Sequence, residues 1–257
     1  MSVLSYLKDT VRVAVLSPYE KASIIKSIET IKYRLDLYFG DLREHFQFGS
    51  STRGTLLPRS MDSKSDIDYM VVFNNGSYTP QTYLNWLKLF CEKYYSRSEI
   101  YQSSPTIVLE LNHIKFELVP ALYTLHGGYN IPDGIGGWVN TNPNDFNSSL
   151  TIKNQSEANL IKPTIRLVKY WNAKNEYVYS SFLFEKWIIS LDFSWASKNQ
   201  RDFLFNVFDK LSVTNEEVKW RANKIERAKK IISKVRELEN DGYPYLAAEE
   251  VKKLIPE

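Results

Sequence analysis

Residues 66–73 read Asp-Ile-Asp-Tyr-Met-Val-Val-Phe. The run is short and wholly apolar after Asp68, which predicts a buried central strand. Side chains alternate along a strand, so Asp66, Asp68, Met70 and Val72 share one face and Ile67, Tyr69 and Val71 take the other. The chain must therefore fold with two carboxylates at one end of a core strand. Like charges that close raise each other's proton affinity, and a fold keeps them together where something offsets the repulsion. A divalent cation does so, and hard oxygen ligands suit Mg²⁺, Mn²⁺ or Ca²⁺. The single cysteine, Cys91, and only three histidines exclude an intrachain disulfide and a thiolate-built or histidine-rich metal centre.

A third acid lies in the run Ile114 to Val119, where Glu117 sits between Phe116 and Leu118. An acid inside an apolar strand is costly unless paired. Beside Asp66 and Asp68 it would complete a two-ion site, one ion activating a hydroxyl and the other steadying a leaving pyrophosphate. Upstream, Gly49-Ser50-Ser51 reads as a tight turn after a short strand from Arg43 to Phe48. Gly49 lets the backbone come close to a ligand, the serines offer hydroxyls, and the amides that follow suit phosphate oxygens. No Gly-Lys-Ser/Thr follows, so this is not a P-loop. An Asp-x-Asp alone is most often a solvated turn, and Gly-Ser-Ser alone a plain loop. The ordered set of turn, acid strand and second acid strand is more specific than any of its parts.

With 257 residues, 43% hydrophobic and 14% aromatic, the chain has too much core-forming material to be disordered. At about 150 residues per domain it makes one large domain or two lobes. Ser17-Pro18-Tyr19-Glu20 predicts a capping box that opens a helix through Ile24, Ile28, Ile31 and Leu35, ended by Gly40. Thr79-Pro80 opens a helix to about Tyr95. Ile107 to Leu111 and Ile114 to Val119 read as strands joined at Asn112-His113, with Pro120 ending the second. From Asp133, glycines, a proline and asparagines mark a long connection. Helical periodicity then predicts helices over 155–173, 180–193, 200–211 and 215–240, with Pro163 as a kink or restart in the first. Gly242-Tyr243-Pro244-Tyr245 reads as a mobile tail, with its tyrosine hydroxyls as candidate acceptors. The plan is an α+β fold of two lobes. An N-terminal α/β lobe with a mixed sheet spans 1–150, a helical lobe spans 151–257, and the active site is expected in the cleft.

No apolar run approaches the roughly 18 residues of a membrane span. The stretch Met1 to Leu16 is broken by Lys8, Asp9 and Arg12 and lacks a secretory pattern. A cytoplasmic protein without stable membrane association is expected. A net charge of +3 permits a polyanionic substrate without requiring one.

Gly49-Ser50, Asp66-Ile67-Asp68 and Glu117 together resemble the motif of the DNA polymerase β-like nucleotidyltransferase superfamily. Three further segments are similar to the bacterial cGAS/DncV-like nucleotidyltransferases and the oligoadenylate synthases. They are Phe-Glu-Leu-Val-Pro-Ala around Glu117, the Trp and Asn-Pro connection over 131–143, and the helical runs 160–171 and 180–187. The resemblance covers roughly residues 45–190. It implies that Asp66, Asp68 and Glu117 hold two Mg²⁺ (or Mn²⁺) ions and that Gly49 and Ser50 hold nucleotide phosphates. It further implies that Lys169 contacts the triphosphate, that Ser181 bonds a phosphate oxygen and that Phe182 stacks on the base. Glu117 stands where the family often has Asp, and the cysteines of the animal sensor's zinc insertion are missing.

The resemblance implies an enzyme that polymerises nucleoside triphosphates into a cyclic or linear oligonucleotide signal in bacterial anti-phage defence, with a membrane or nuclease effector downstream. The same chemistry on a different acceptor gives the alternative: nucleotidyl transfer to a protein, a tRNA or a small molecule, as in an antitoxin-like or antibiotic-modifying enzyme. A nucleic-acid binding module is the third class, motivated by Lys219, Arg221, Lys224, Arg227, Lys229 and Lys230. Glu216, Glu217, Glu226 and Glu237 interleave with them, which favours a solvated amphipathic face.

Overall fold

A computed structural model describes residues 1–125, 127–212 and 218–257. By packing, the chain divides into one unit of residues 16–59 and 63–148 and another of residues 1–15, 60–62 and 149–257. The expected helix start at Asn215, with Glu216 and Glu217, lies outside the described residues.

The first unit is built on a sheet. Its strands are β1 (Leu42–Phe48), β2 (Asp66–Phe73), β3 (Glu99–Ser103), β4 (Thr106–Glu110), β5 (Lys115–Tyr123), β6 (Tyr129–Pro132) and β7 (Trp138–Thr141). The order is β1-β2-β5-β4-β3, with β6 beside β5 and β7 beside β6. β2 and β5 run parallel while the other pairs are antiparallel, so the sheet is mixed. One face is covered by α2 (Pro18–Phe39) and α4 (Pro80–Tyr94). Ile67, Tyr69 and Val71 point into that core with Ile31 and Leu35 of α2 and Leu87 and Phe90 of α4. Met70, Val72, Ala121 and Tyr129 form a smaller cluster on the opposite face. The alternation expected for β2 is therefore the one observed.

Local chemistry explains the helix ends. The capping box at α2 is present, with the Glu20 amide donating to Ser17 Oγ and the Ser17 amide to Glu20. Gly40 closes the helix in the left-handed conformation at φ +67°. From β1, His45 bridges α2 to the sheet, 2.8 Å from Asp36 Oδ1 and 2.8 Å from the hydroxyl of buried Tyr69.

Pro120 does not end the second strand, as the sequence had led us to expect; β5 runs through it to Tyr123. β4 pairs with β5 only as far as Leu118, and β6 takes up the same side at Leu122. Pro120 sits in the gap between them, where a missing N–H breaks no ladder bond. The long connection after Asp133 is also more ordered than expected, since it contains β7 and the start of α5 (Pro143–Ser156).

The second unit is helical. It contains α1 (Val3–Val13), α6 (Ile161–Lys174), α7 (Ser181–Ser190), α8 (Gln200–Lys210), α9 (Lys219–Asn240) and α10 (Pro244–Val251), with most of α5. The expected helix over 155–173 is two helices, interrupted where Ala158 and Asn159 adopt positive φ of 53° and 61°. Pro163 lies in the first turn of α6, where it breaks no intrahelical bond and causes no kink. The tail is not a mobile segment: Pro244 opens α10, which buries Ala247, Ala248 and Val251. α1 packs with this unit, and the Tyr6 hydroxyl donates to Ile255 O at 2.6 Å. The helix α9 buries Ile225, Ala228, Ile232 and Val235, so its lysines and arginines form the polar side of an amphipathic helix. Among the described residues, no helix is long and apolar enough to cross a membrane.

Candidate active site

The parallel register of β2 and β5 sets the geometry. Asp66 pairs with Lys115, and Asp68 pairs with Glu117. Both strands alternate with period two, so Asp66, Asp68, Lys115 and Glu117 lie on one face at the start of the parallel pair. On the other side of β2, Phe48 of β1 pairs with Asp68. The chain leaving β1 therefore arrives directly over Asp68.

That arrival explains Gly49. Its φ of +76° and ψ of −154° suit glycine. A Cβ placed on it would stand 1.8 Å from Asp68 Oδ2. The close approach inferred from the sequence is thus first an approach to the Asp68 carboxylate. Ser50 to Arg53 form a single helical turn, α3, rather than a plain tight turn. Ser51 Oγ donates to Phe48 O at 3.0 Å and Thr52 Oγ1 to Gly49 O at 3.0 Å, so these hydroxyls brace the turn. Ser50 is buried beside them.

Lys115 is the charged group the sequence reading passed over. Its Nζ donates to Glu117 Oε1 at 2.8 Å and lies 3.3 Å from Asp66 Oδ2. Burial works against the ammonium, but the hydrogen bond to Glu117 and the charges of Asp66 and Glu117 outweigh it, so the Lys115 pKa is held above the ordinary lysine value. The signal was present: a lysine two residues before an acid on a strand must share its face. Around this cluster, Glu110 pairs with Lys115 across β4–β5, and Arg59 lies 3.7 Å from Glu110 Oε2.

The donor set suits a hard divalent cation, since it is all carboxylate oxygen. The three acids also sit on one face at adjacent positions. In the arrangement seen, however, Asp68 leans over Gly49 while Asp66 and Glu117 are held by Lys115. Among the described residues, no three His, Cys, Asp or Glu side chains converge as ligands. The residues fit the ion by identity and placement, with a lysine ammonium between two of them.

The remaining candidates lie in the helical unit. Lys169 on α6 is buried, and its Nζ donates to buried Glu185 Oε1 on α7 at 3.1 Å. Ser181 is half-buried and Phe182 exposed at the start of α7. A cavity of about 550 Å³ beside them is lined by Tyr179, Ser180, Leu183, Phe184, Trp187 and Arg221, among others. Ser181 and Phe182 do not line it, and the sequence reading singled out neither Tyr179 nor Trp187.

The residues that resemble the nucleotidyltransferase motif thus lie on one mixed sheet, three acids on its parallel strand pair and a glycine turn against one of them. Residues 1–154 match the Second Messenger Oligonucleotide or Dinucleotide Synthetase domain, and the chain belongs to that family. Over 131 residues it is 31% identical to a probable cyclic nucleotide synthase of Bacillus cereus (strain VD146). That match spans 47% of this chain and 40% of the relative. The fold is similar to that of E. coli MS115-1 CdnC, solved with ATP, at a TM-score of 0.73 and 13% identity over 100% of this chain and 98% of that one. It is also similar to the Bradyrhizobium diazoefficiens CD-NTase CdnG, solved with GTP, at a TM-score of 0.69 and 11% identity over 98% of each chain.

Proposed function

We propose that this nucleotidyltransferase joins nucleoside triphosphates into an oligonucleotide or dinucleotide signal, cyclic or linear. A hydroxyl attacks an α-phosphate and pyrophosphate leaves. The signal would act in anti-phage defence through a downstream effector. The observation that carries this proposal is the register that sets Asp68 beside Glu117, with Asp66 two residues away on the same face. The family's description and the name of the Bacillus relative support the reaction class, and the ATP and GTP in the CdnC and CdnG structures support the substrate class.

In this assignment Asp66, Asp68 and Glu117 hold Mg²⁺ or Mn²⁺, two ions per site. Bound there, such ions polarise the phosphoryl oxygens and lower the pKa of the attacking hydroxyl. The chain's own groups do the rest. Gly49 keeps the turn low enough for Asp68 to reach over it. The first amides of α3 have no intrahelical acceptor and are assigned to phosphate oxygens, with Ser50. In the helical unit, Lys169 and Ser181 are assigned to phosphates and Phe182 to base stacking, which favours purines without selecting one.

The test is a product assay with each labelled NTP and dNTP, with Mg²⁺ or Mn²⁺, beside Asp66→Ala/Asp68→Ala. A soluble oligonucleotide that disappears in the double variant is the expected result. Label that appears only on an added protein, tRNA or small molecule would replace the proposal with nucleotidyl transfer to that acceptor. Product that survives in the double variant would remove the carboxylates from the chemistry.

A further inference from the structure

Three carboxylates stand on one face of β2 and β5, and a lysine ammonium stands among them. Lys115 reaches Asp66 Oδ2 at 3.3 Å and Glu117 Oε1 at 2.8 Å. Its side chain is only 14% exposed, so solvent screens the pair weakly. Its position is fixed by the backbone, because Asp66 is its partner in the parallel ladder and Glu117 is its same-face neighbour two residues on. The ammonium occupies the space between two of the three proposed ligands and competes with a divalent cation for their oxygens.

We propose that Lys115 is a positioning residue that serves as the internal counter-ion of the carboxylate site. It holds Asp66 and Glu117 in place while no divalent cation is bound, and it must release at least one of them when the cation enters. The proposal rests on the assignment of Asp66, Asp68 and Glu117 as metal ligands. Two consequences run in the same direction. Removing the ammonium takes away a competitor for the carboxylate oxygens, and it makes the site more negative by one charge. Both strengthen the attraction for a bare divalent ion. Without the ion, the same change takes away the ammonium that offsets the like charges of Asp66 and Glu117 and weakens the fold. A lysine that merely braced the sheet would give only the second effect.

The experiment measures Mn²⁺ binding without nucleotide, by electron paramagnetic resonance of free Mn²⁺ and by calorimetry, with thermal melts in EDTA and in excess Mn²⁺. The proteins are the wild type, Lys115→Met, Lys115→Arg and Asp66→Asn/Asp68→Asn. Lys115→Met should bind Mn²⁺ at least about tenfold more tightly, melt lower than the wild type in EDTA, and recover most of the difference in Mn²⁺. Lys115→Arg keeps the charge and grips carboxylates with a two-pronged head, so it should bind Mn²⁺ more weakly than the wild type. Opposite shifts from the two variants are the signature expected. Should Lys115→Met fail to fold in EDTA, Lys115→Arg against the wild type still decides. Wild-type binding that Asp66→Asn/Asp68→Asn abolishes, with unchanged or weaker binding in Lys115→Met, overturns the counter-ion proposal and leaves the metal site standing. No carboxylate-dependent Mn²⁺ binding in any of the proteins overturns the metal-ligand assignment, and the counter-ion proposal with it.

Discussion

Replacing Gly49 with alanine should disable the site through Asp68. The added Cβ falls 1.8 Å from Asp68 Oδ2 and 2.6 Å from its Cγ. Ordinary contact begins near 3.4 Å, so the carboxylate oxygen must retreat by about 1.6 Å or the turn must lift by as much. The backbone at φ +76° and ψ −154° resists an L-side chain as well, which adds about 1–3 kcal/mol of strain. At about 2–4 °C per kcal/mol for a chain of this size, the melting temperature should fall by about 2–12 °C. Displacing a reacting group by an ångström or more costs on the order of a hundredfold in rate, so nucleotide incorporation should drop at least that far. Assayed well below the melting point, Gly49→Ala should be folded and nearly inactive. The double variant Gly49→Ala/Asp68→Ala removes the contacts at 1.8 and 2.6 Å and leaves only the one to the residue-68 Cβ at 2.9 Å, so it relieves most of the clash. Relative to Gly49→Ala it should recover stability, and its activity should fall no further. Wild-type turnover in Gly49→Ala, or strictly additive effects in the double variant, would refute the link between the turn and the carboxylate.

Two further predictions concern stability and reactivity. Burial opposes the charge of Glu157, just beyond the end of α5, but its hydrogen bonds from Lys198 and Lys153 outweigh that and hold its pKa below the ordinary glutamate value of 4.5. A depressed folded pKa means stability that is present above 4.5 and lost as the pH falls below it; Glu157→Gln should flatten that part of the stability–pH curve, read by thermal melts at a series of acidic pH values. Cys91 is fully buried, and burial pushes its thiol up to about 12; alkylating reagents at pH 8 should leave it unmodified in the native protein and label it after denaturation.

Period and spacing made part of this molecule legible before any coordinates. The two faces of β2, the third acid on a neighbouring strand and the capping box of α2 each follow from a rule that acts over a few residues. β3 escaped notice because Glu99 to Ser103 is a mostly exposed strand with no apolar alternation. α5 escaped because its sequence is rich in Asn and Ser, poor helix formers, and few of its side chains are buried. Pro120 misled because the penalty for proline in a strand depends on which neighbour is missing, a tertiary fact. Lys115 was readable in principle, but its meaning needed the register of β5 against β2. That register comes from long-range pairing and has no local signature.

The parallel pairing of β2 with β5 also sets when the carboxylate cluster can exist. β4 and β5 form a hairpin whose partners are close in sequence, whereas joining Asp68 to Glu117 closes a loop of about 50 residues, at a chain-entropy cost of about 3.5 kcal/mol. Contacts of that kind are late in folding. A ribosome must therefore deliver β5 before the acids meet, and with them the lysine that offsets their repulsion, since Lys115 and Glu117 arrive on the same strand. The neutralising charge and the last proposed ligand are thus synthesised together, so at no stage of assembly do the β2 carboxylates meet Glu117 in a closed sheet without Lys115 beside them.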